Sequence, residues 1–412
     1  MGDRTILHCD CNGFYASVEC ILRPELRDVP MAVCGNPENR HGIILAKNEH
    51  AKKYGIVTAE TVWQALKKCP NLVLVPPHHD LYAKYSKKVN KIYECYTDLV
   101  EPFGIDESWL DVTGSMHLFG TGEEIANELR RRVREEIGLT ISVGVSYNKI
   151  YAKLGSDYKK PDATTVITRE NHKQIVYPLP VGDLLYVGKA AAATLRGMGI
   201  TTIGQLAQAR PELVAARLGK TGEQLVEYAR GEEHSPVRSA YESSEVKSVG
   251  NGMTFRRNLL GMEDISAGIT ALSDTVASRL RRHGLLCQTV QVLIKDPQFR
   301  SISRQRALEV PTHLASEITK VALQIIEEEW RLELPIRMLT ITGMNLIPAE
   351  SAVSQTSLFG QAEDKQREKW EKLESAMDIV RQKYGRDAVS FGGTLGTDLG
   401  LEPHRRGEDD PV

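Results

Sequence analysis

Three acidic side chains carry the most chemical information in this chain. Asp10 lies in the run Leu7-His8-Cys9-Asp10-Cys11-Asn12-Gly13-Phe14-Tyr15. The adjacent pair Asp106-Glu107 lies in Phe103-Gly104-Ile105-Asp106-Glu107-Ser108-Trp109-Leu110-Asp111-Val112. Both stretches are apolar and strand-like, so a sheet would hold these carboxylates in fixed positions beside one another. Two unit charges roughly 4 Å apart interact by about 4 kcal/mol at an effective dielectric near 20. Such a cluster needs either raised pKa values or bound cations, and all-oxygen donors favour hard Mg²⁺. Two such ions can clamp the attacking and leaving oxygens of a phosphoryl transfer. An isolated Asp or Asp-Glu pair reads more plainly as a turn at a strand end, and it is the rest of the chain that argues against this here.

The second informative block runs from Ser146-Tyr147-Asn148-Lys149 to Lys159-Lys160-Pro161. On a helix Tyr147, Tyr151, Leu154 and Tyr158 share one face while Lys149, Lys153 and Asp157 line another. A solvated charged face explains this equally well. The functional reading sets Lys160 over a polyphosphate as a point charge. Val187-Gly188-Lys189 and Met198-Gly199-Ile200 punctuate two short helices, whose free N–H groups suit a phosphate read without regard to sequence. Glycine turns between packed helices are common, so these two gain weight only from the basic segment downstream.

In that segment Lys247, Arg256, Arg257, Arg279, Arg281, Arg282, Lys295, Arg300, Arg304 and Arg306 face only Glu263, Asp264, Asp274 and Asp296, although the whole chain has 52 Lys+Arg against 54 Asp+Glu. Within it Ser301, Ser303 and Gln305 alternate with Arg304 and Arg306, an arrangement suited to a sugar-phosphate backbone or to an ordinary solvated sheet. Gln355-Thr356-Ser357-Leu358-Phe359 then places an apolar pair in a polar loop, to dock back on the protein or in a partner's pocket. His78-His79-Asp80 reads as a helix N-cap at Asp80 rather than a metal site.

The positioning elements follow from periodicity. Residues 5–10 form a buried strand and 12–22 a helix; 30–34 and 43–46 are short strands, with helices after Asn48 and around 61–68. A helix over 80–98, strands at 99–103 and 107–113, a helix at 122–136 and a strand at 140–145 complete an α+β domain. Short helices fill 178–234, and 237–246 reads as a linker. Beyond it the order strand 247–255, helix 264–283, strands 288–295 and 301–309, helix 313–330, strand 336–346 is a βαββαβ motif. A charged helix at 363–384 with Trp370, Leu373, Met377 and Val380 inward precedes a polar tail.

With 412 residues, 41% of them hydrophobic, the chain has room for two to four domains. No run of about 18 apolar residues is present and no signal-peptide core precedes the first strand, so no membrane partner and a cytoplasmic location are expected. The seven cysteines lack the spacing of a zinc site or disulfide framework, and Cys9 and Cys11 alone are weak evidence for thiolate ligands.

In this order the blocks resemble a Y-family DNA polymerase of the bacterial translesion type, over residues 5 to about 360. The resemblance implies an α+β multidomain right hand: palm (1–20 and 77–165), small fingers (21–76), helical thumb (166–236) and βαββαβ little finger (247–347), with a C-terminal tail (348–412). It implies two Mg²⁺ ions on Asp10, Asp106 and Glu107, with the Cys11 carbonyl as a further ligand. Tyr15 matches the aromatic under the incoming sugar, Phe14 supports it, and Lys160 matches the triphosphate lysine, with Lys52 as a second phosphate contact. Gly188, Lys189, Lys247, Ser303 and Arg304 fall on DNA-binding positions, and Gln355, Leu358 and Phe359 on the motif that binds the sliding clamp. Primer-template DNA, dNTPs and the beta clamp are the implied partners of a monomer. Asn12, Glu49 and Lys52 depart from the family pattern, which usually has a second carboxylate, Tyr and Arg there; Glu49 is repulsive to a triphosphate unless paired with Lys52 or Lys53. Two alternatives stay open: a catalytically weak relative acting as a DNA- and clamp-binding scaffold, and a palm-type nucleotidyl cyclase, in which the thumb and basic module have no place.

Overall fold

The computed structural model describes residues 3–36, 42–242, 245–351, 361–385 and 388–401. The chain divides into two compact units, one of Met1–Glu38 and Gly42–Ser243, the other built on Ser244–Val412.

The first unit is organised by a five-stranded sheet. Its spatial order is Val100–Pro102, Glu107–Asp111, Ile6–Cys11, Ile141–Ser146 and Thr164–Val166. The central strand Ile6–Cys11 pairs antiparallel with both neighbours and is buried along its whole length. That explains its nearly unbroken apolar run, since both faces are covered. Leu7, Cys9 and Cys11 join one core with Tyr82, Tyr93, Ile125 and Leu129. His8 and Asp10, on the other face by alternation, look toward the helix Lys149–Tyr158, where Ser156 and Lys153 meet them.

That helix approaches the sheet closely because two glycines leave room. A Cβ built on Gly144 would fall 1.9 Å from the Ala152 carbonyl oxygen and 2.5 Å from the Ser156 nitrogen, while one on Gly155 would fall 2.9 Å from Gly144 Cα. These neighbours are backbone and cannot yield without moving the helix. Gly144→Ala is therefore expected to destabilise the first unit by at least about 3 kcal/mol, measured as a lowered urea midpoint.

A three-stranded sheet of Ile44–Lys47, Met31–Cys34 and Val73–Val75 forms a separate small layer with its own core of Ile44, Ile56, Val62 and Cys69. Short helices from His172–Ile175 to Lys220–Arg230 pack together around Leu195, Ile203, Leu206, Val214 and Leu225. None is long enough to be stable alone, so mutual burial holds them. The segment read as a linker is bound to this unit over its first part: Val237 is buried and Ala240 N–H donates to the Asp98 carbonyl.

The second unit has the expected βαββαβ order, with a four-stranded antiparallel sheet Ser301–Thr312, Leu285–Lys295, Ile336–Pro348, Ser248–Leu259. Helices Gly261–Arg282 and Ala315–Glu329 supply its core. The helix Gln361–Tyr384 differs from its reading. Leu373 is exposed, and the side chain turned inward there is Glu374, which with Asp378 holds the guanidinium of Arg281. Beyond it Leu399 is fully buried in the core and its carbonyl accepts from Arg256 N–H. Nothing polar in the tail's composition signals that one leucine. Leu399→Ala is expected to cost the second unit about 2–5 kcal/mol, read as a lowered melting transition. Among the described residues no helix is long and apolar enough to cross a membrane.

Candidate active site

Antiparallel pairing sets Asp10 directly opposite Glu107. Adjacent residues of a regular strand would point apart, which makes Asp106 the difficult member of the trio. The strand begins only at Glu107. Asp106 belongs to the preceding turn, closed by Phe103 N–H donating to the Glu107 carbonyl at 2.9 Å, and its own carbonyl accepts from Cys11 N–H at 3.0 Å. The turn frees Asp106 from strand alternation.

The negative charge gathers cations. Lys153 Nζ lies 3.1 Å from both Asp10 and Glu107, and Lys160 Nζ lies 2.7 Å from Asp10 and from Asp157. Burial, then the charges of Asp10 and Glu107, push the Asp106 carboxyl up to about 6. Glu107 is held down at about 2: burial opposes ionisation there, but His8 and Lys153 outweigh it. Against the effect of burial, the charges of Asp10, Asp157 and Glu107 keep Lys153 above the usual lysine value, and those of Asp10 and Asp157 do the same for Lys160. Among the described residues no three His, Cys, Asp or Glu side chains are gathered into a ready metal cage. In its place the two ammonium groups sit among hard oxygen donors, so the site attracts cations and its donor chemistry fits a hard divalent ion. Burial pushes the Cys9 and Cys11 thiols up, and both side chains lie in the core on the face of the strand opposite Asp10.

Gly13, at φ +54°, turns the chain from the central strand into the helix Phe14–Leu22. That turn presents Phe14 to the core and leaves Tyr15 half-buried. Tyr15 stacks on Tyr82 with centroids 4.1 Å apart and 13° between planes, and His79 meets both rings edge-on. Tyr82 is fixed from behind, its hydroxyl donating to the buried Glu19 at 2.5 Å. Asn12, where the family pattern has an acid, donates to Ser142 and accepts from Asp162 N–H at 2.9 Å, which ties down the loop carrying Lys160. Glu49 pairs with Lys52 at 3.5 Å, both exposed.

Two residues of the site were not singled out by sequence. His8 contacts Glu107 at 3.2 Å through Nε2 and Ser156 at 2.8 Å through Nδ1; its signal is its position two residues before Asp10 on the same face. Lys153 stood out only as part of a charged helix face. That face is not a solvated one: Lys149 is buried against Glu101 at 2.6 Å. The helix expected to be capped by Asp80 starts at His79 with His78 as its cap residue.

A groove of about 490 Å³ leads from Lys153 and Asp157 along Gly182–Gly188. Gly188, which lines it, and Lys189, the residue after, are exposed. In the second unit Lys247 and Ser303 are exposed, but Arg304 and Arg306 are engaged by Glu329 and Glu328 of the neighbouring helix. The open sheet face therefore offers Ser301, Ser303 and Gln305, and Arg304 is a paired group. Gln355, Leu358 and Phe359 lie outside the described residues.

Comparison with known proteins places this geometry. Residues 9–157 match the impB/mucB/samB family and residues 246–358 its C-terminal domain. The chain is 48% identical to a DNA polymerase IV of Acetivibrio thermocellus, over 97% of this chain and 99% of that one. It is 39% identical to a DNA polymerase IV of Moorella thermoacetica, covering 94% and 95%. It is 36% identical to DNA polymerase IV 1 of Bacillus subtilis, covering 95% and 93%. Its fold is similar to that of a Y-family DNA polymerase chimera, with TM-score 0.73 at 22% identity over 84% of this chain and 99% of the other.

Proposed function

Because the chain belongs to the impB/mucB/samB family and is a Y-family DNA polymerase of the bacterial DNA polymerase IV type, we propose that it extends primers past damaged or distorted templates, with two Mg²⁺ ions held by Asp10, Asp106, Glu107 and the Cys11 carbonyl. The observation that carries this reading is the pair of lysines drawn onto Asp10, at 3.1 and 2.7 Å, with Glu107 opposite. When bound, the ions supply charge neutralisation at the phosphates and lower the pKa of the primer 3′-hydroxyl.

The chain's own residues do the rest. Lys160, set against Asp10 and Asp157 at a partly open position, offers its charge to the triphosphate, and Lys52 offers a second, weaker one. Such fixed charges stabilise what develops on the leaving pyrophosphate. Tyr15, backed by Tyr82 and supported by Phe14, lies under the incoming sugar and leaves no room for a 2′-hydroxyl. The groove from Lys153 to Gly188 takes the primer end, with Gly188 and Lys189 on its phosphates, and Lys247 and Ser303 follow the duplex backbone, Arg304 being held by Glu329 on the helix side of the sheet. We assign 1–20 and 77–165 as palm, 21–76 as fingers, 166–236 as thumb and 247–347 as little finger. The three-stranded fingers are small, so base-pair shape is loosely checked and fidelity is low. Gln355, Leu358 and Phe359 engage the sliding clamp, and the protein acts as a cytoplasmic monomer.

Primer extension tests the reading. With Mg²⁺ and four deoxynucleotides, the folded protein is expected to extend a primer on intact templates and past an abasic site, and a chelator stops it. A folded protein that binds primer-template without extending it under any divalent ion would instead be a scaffold.

A further inference from the structure

The turn before the helix Lys189–Gly197 contains a residue its own backbone disfavours. Tyr186 has φ +71°, in the left-handed region where a bulky side chain is strained. Gly188, two residues later, has an ordinary φ of −71°, so the strained position of this turn falls to a tyrosine and not to the nearby glycine. Burial does not offset the strain: Tyr186 is 57% exposed. Its ring lies 6.0 Å from that of Tyr228 at an angle of 38°, a tilted contact on one side.

Tyr186 stands between two cavities of the first unit and lines both. One is the 490 Å³ groove that begins at Lys153 and Asp157. The other, of about 340 Å³, is lined by Trp109, Lys149, Tyr228, Glu233 and Arg238 among others. The ring is thus an exposed aromatic surface at the lip of the groove whose inner end is the lysine held by Asp10 and Glu107.

We infer that Tyr186 is a binding residue for the primer strand, its ring resting against the sugars and bases next to the 3′ end. This rests on the polymerase reading, which requires the primer end to lie beside Asp10, Asp106 and Glu107, and Lys153, paired with Asp10 and Glu107, is what joins that place to the groove. An aromatic face suits such a role because every nucleotide offers an apolar sugar edge and a base face, whatever its sequence. The phenol hydroxyl can in addition donate to a phosphate oxygen.

The test is an anisotropy titration of a fluorescent primer-template with the full chain at fixed salt. Tyr186→Gly and Tyr186→Asn both tolerate the left-handed backbone and remove the ring, and Tyr186→Phe keeps the ring. The ring-less variants are expected to melt at or above the wild-type temperature yet bind primer-template at least about fivefold more weakly, with Tyr186→Phe within about threefold of wild type. If either ring-less variant fails to fold, the other decides. Ring-less variants that bind as tightly as wild type would overturn the inference and leave the polymerase reading standing, whereas a wild type that neither binds nor extends a primer would remove that reading itself.

Discussion

Asp106→Asn is expected to slow primer extension by at least about a thousandfold while leaving primer-template affinity nearly unchanged. Asparagine keeps the shape of the side chain and the turn that carries it, and it removes one negative charge from a site whose proposed work is to hold divalent cations. The same substitution should stabilise the metal-free protein above pH 6. Burial and the neighbouring carboxylates raise Asp106 from 3.8 to about 6, so the fold opposes its ionisation. That penalty is absent below the ordinary carboxyl value, grows as pH rises through about 6, and is fully present above it. Single-turnover extension, anisotropy binding and chelator-treated melting curves at pH 5 and pH 8 separate these effects. Near-normal extension would rule out a metal role for Asp106, and a variant that loses stability at pH 8 would contradict the repulsion.

Tyr15→Ala is expected to raise the ratio of ribonucleotide to deoxyribonucleotide incorporation by about a hundredfold. The phenol ring has little freedom to withdraw, since Tyr82 lies parallel to it at 4.1 Å and the Tyr82 hydroxyl is anchored on buried Glu19. A 2′-hydroxyl placed above such a backed ring must collide with it, and alanine removes the collision without touching the acids. Steady-state kcat/KM for each nucleotide type on one template measures this. Unchanged sugar selectivity in an active variant would count against the role of Tyr15.

Much of this site is legible in the sequence because its parts obey short-range rules. The alternation that buries Leu7 and Cys9 sends Asp10 to the opposite face, and the helical spacing of Lys149, Lys153 and Asp157 follows from the turn of the helix. The βαββαβ order also follows from periodicity alone. The residues that escaped depend on long-range pairing. Glu374 looks like one more surface acid in a charged helix until Arg281, 93 positions away, is seen against it. Leu399 gives no periodic signal because it enters the core from a turn, and its partners lie on a strand more than a hundred residues earlier. Lys149 reads as solvated because nothing nearby announces that Glu101 is buried with it. Arg304 reads as a free contact for the same reason, its partner Glu329 lying on the following helix.

The most direct test of the metal-centred account is anomalous diffraction from crystals of the protein with primer-template, a non-hydrolysable deoxynucleotide and Mn²⁺. Two manganese peaks within coordination distance of the carboxylates of residues 10, 106 and 107, with the ammonium groups of Lys153 and Lys160 displaced from Asp10, are the expected result. A bound nucleotide with no metal at these three side chains, or with metal held elsewhere, would contradict it.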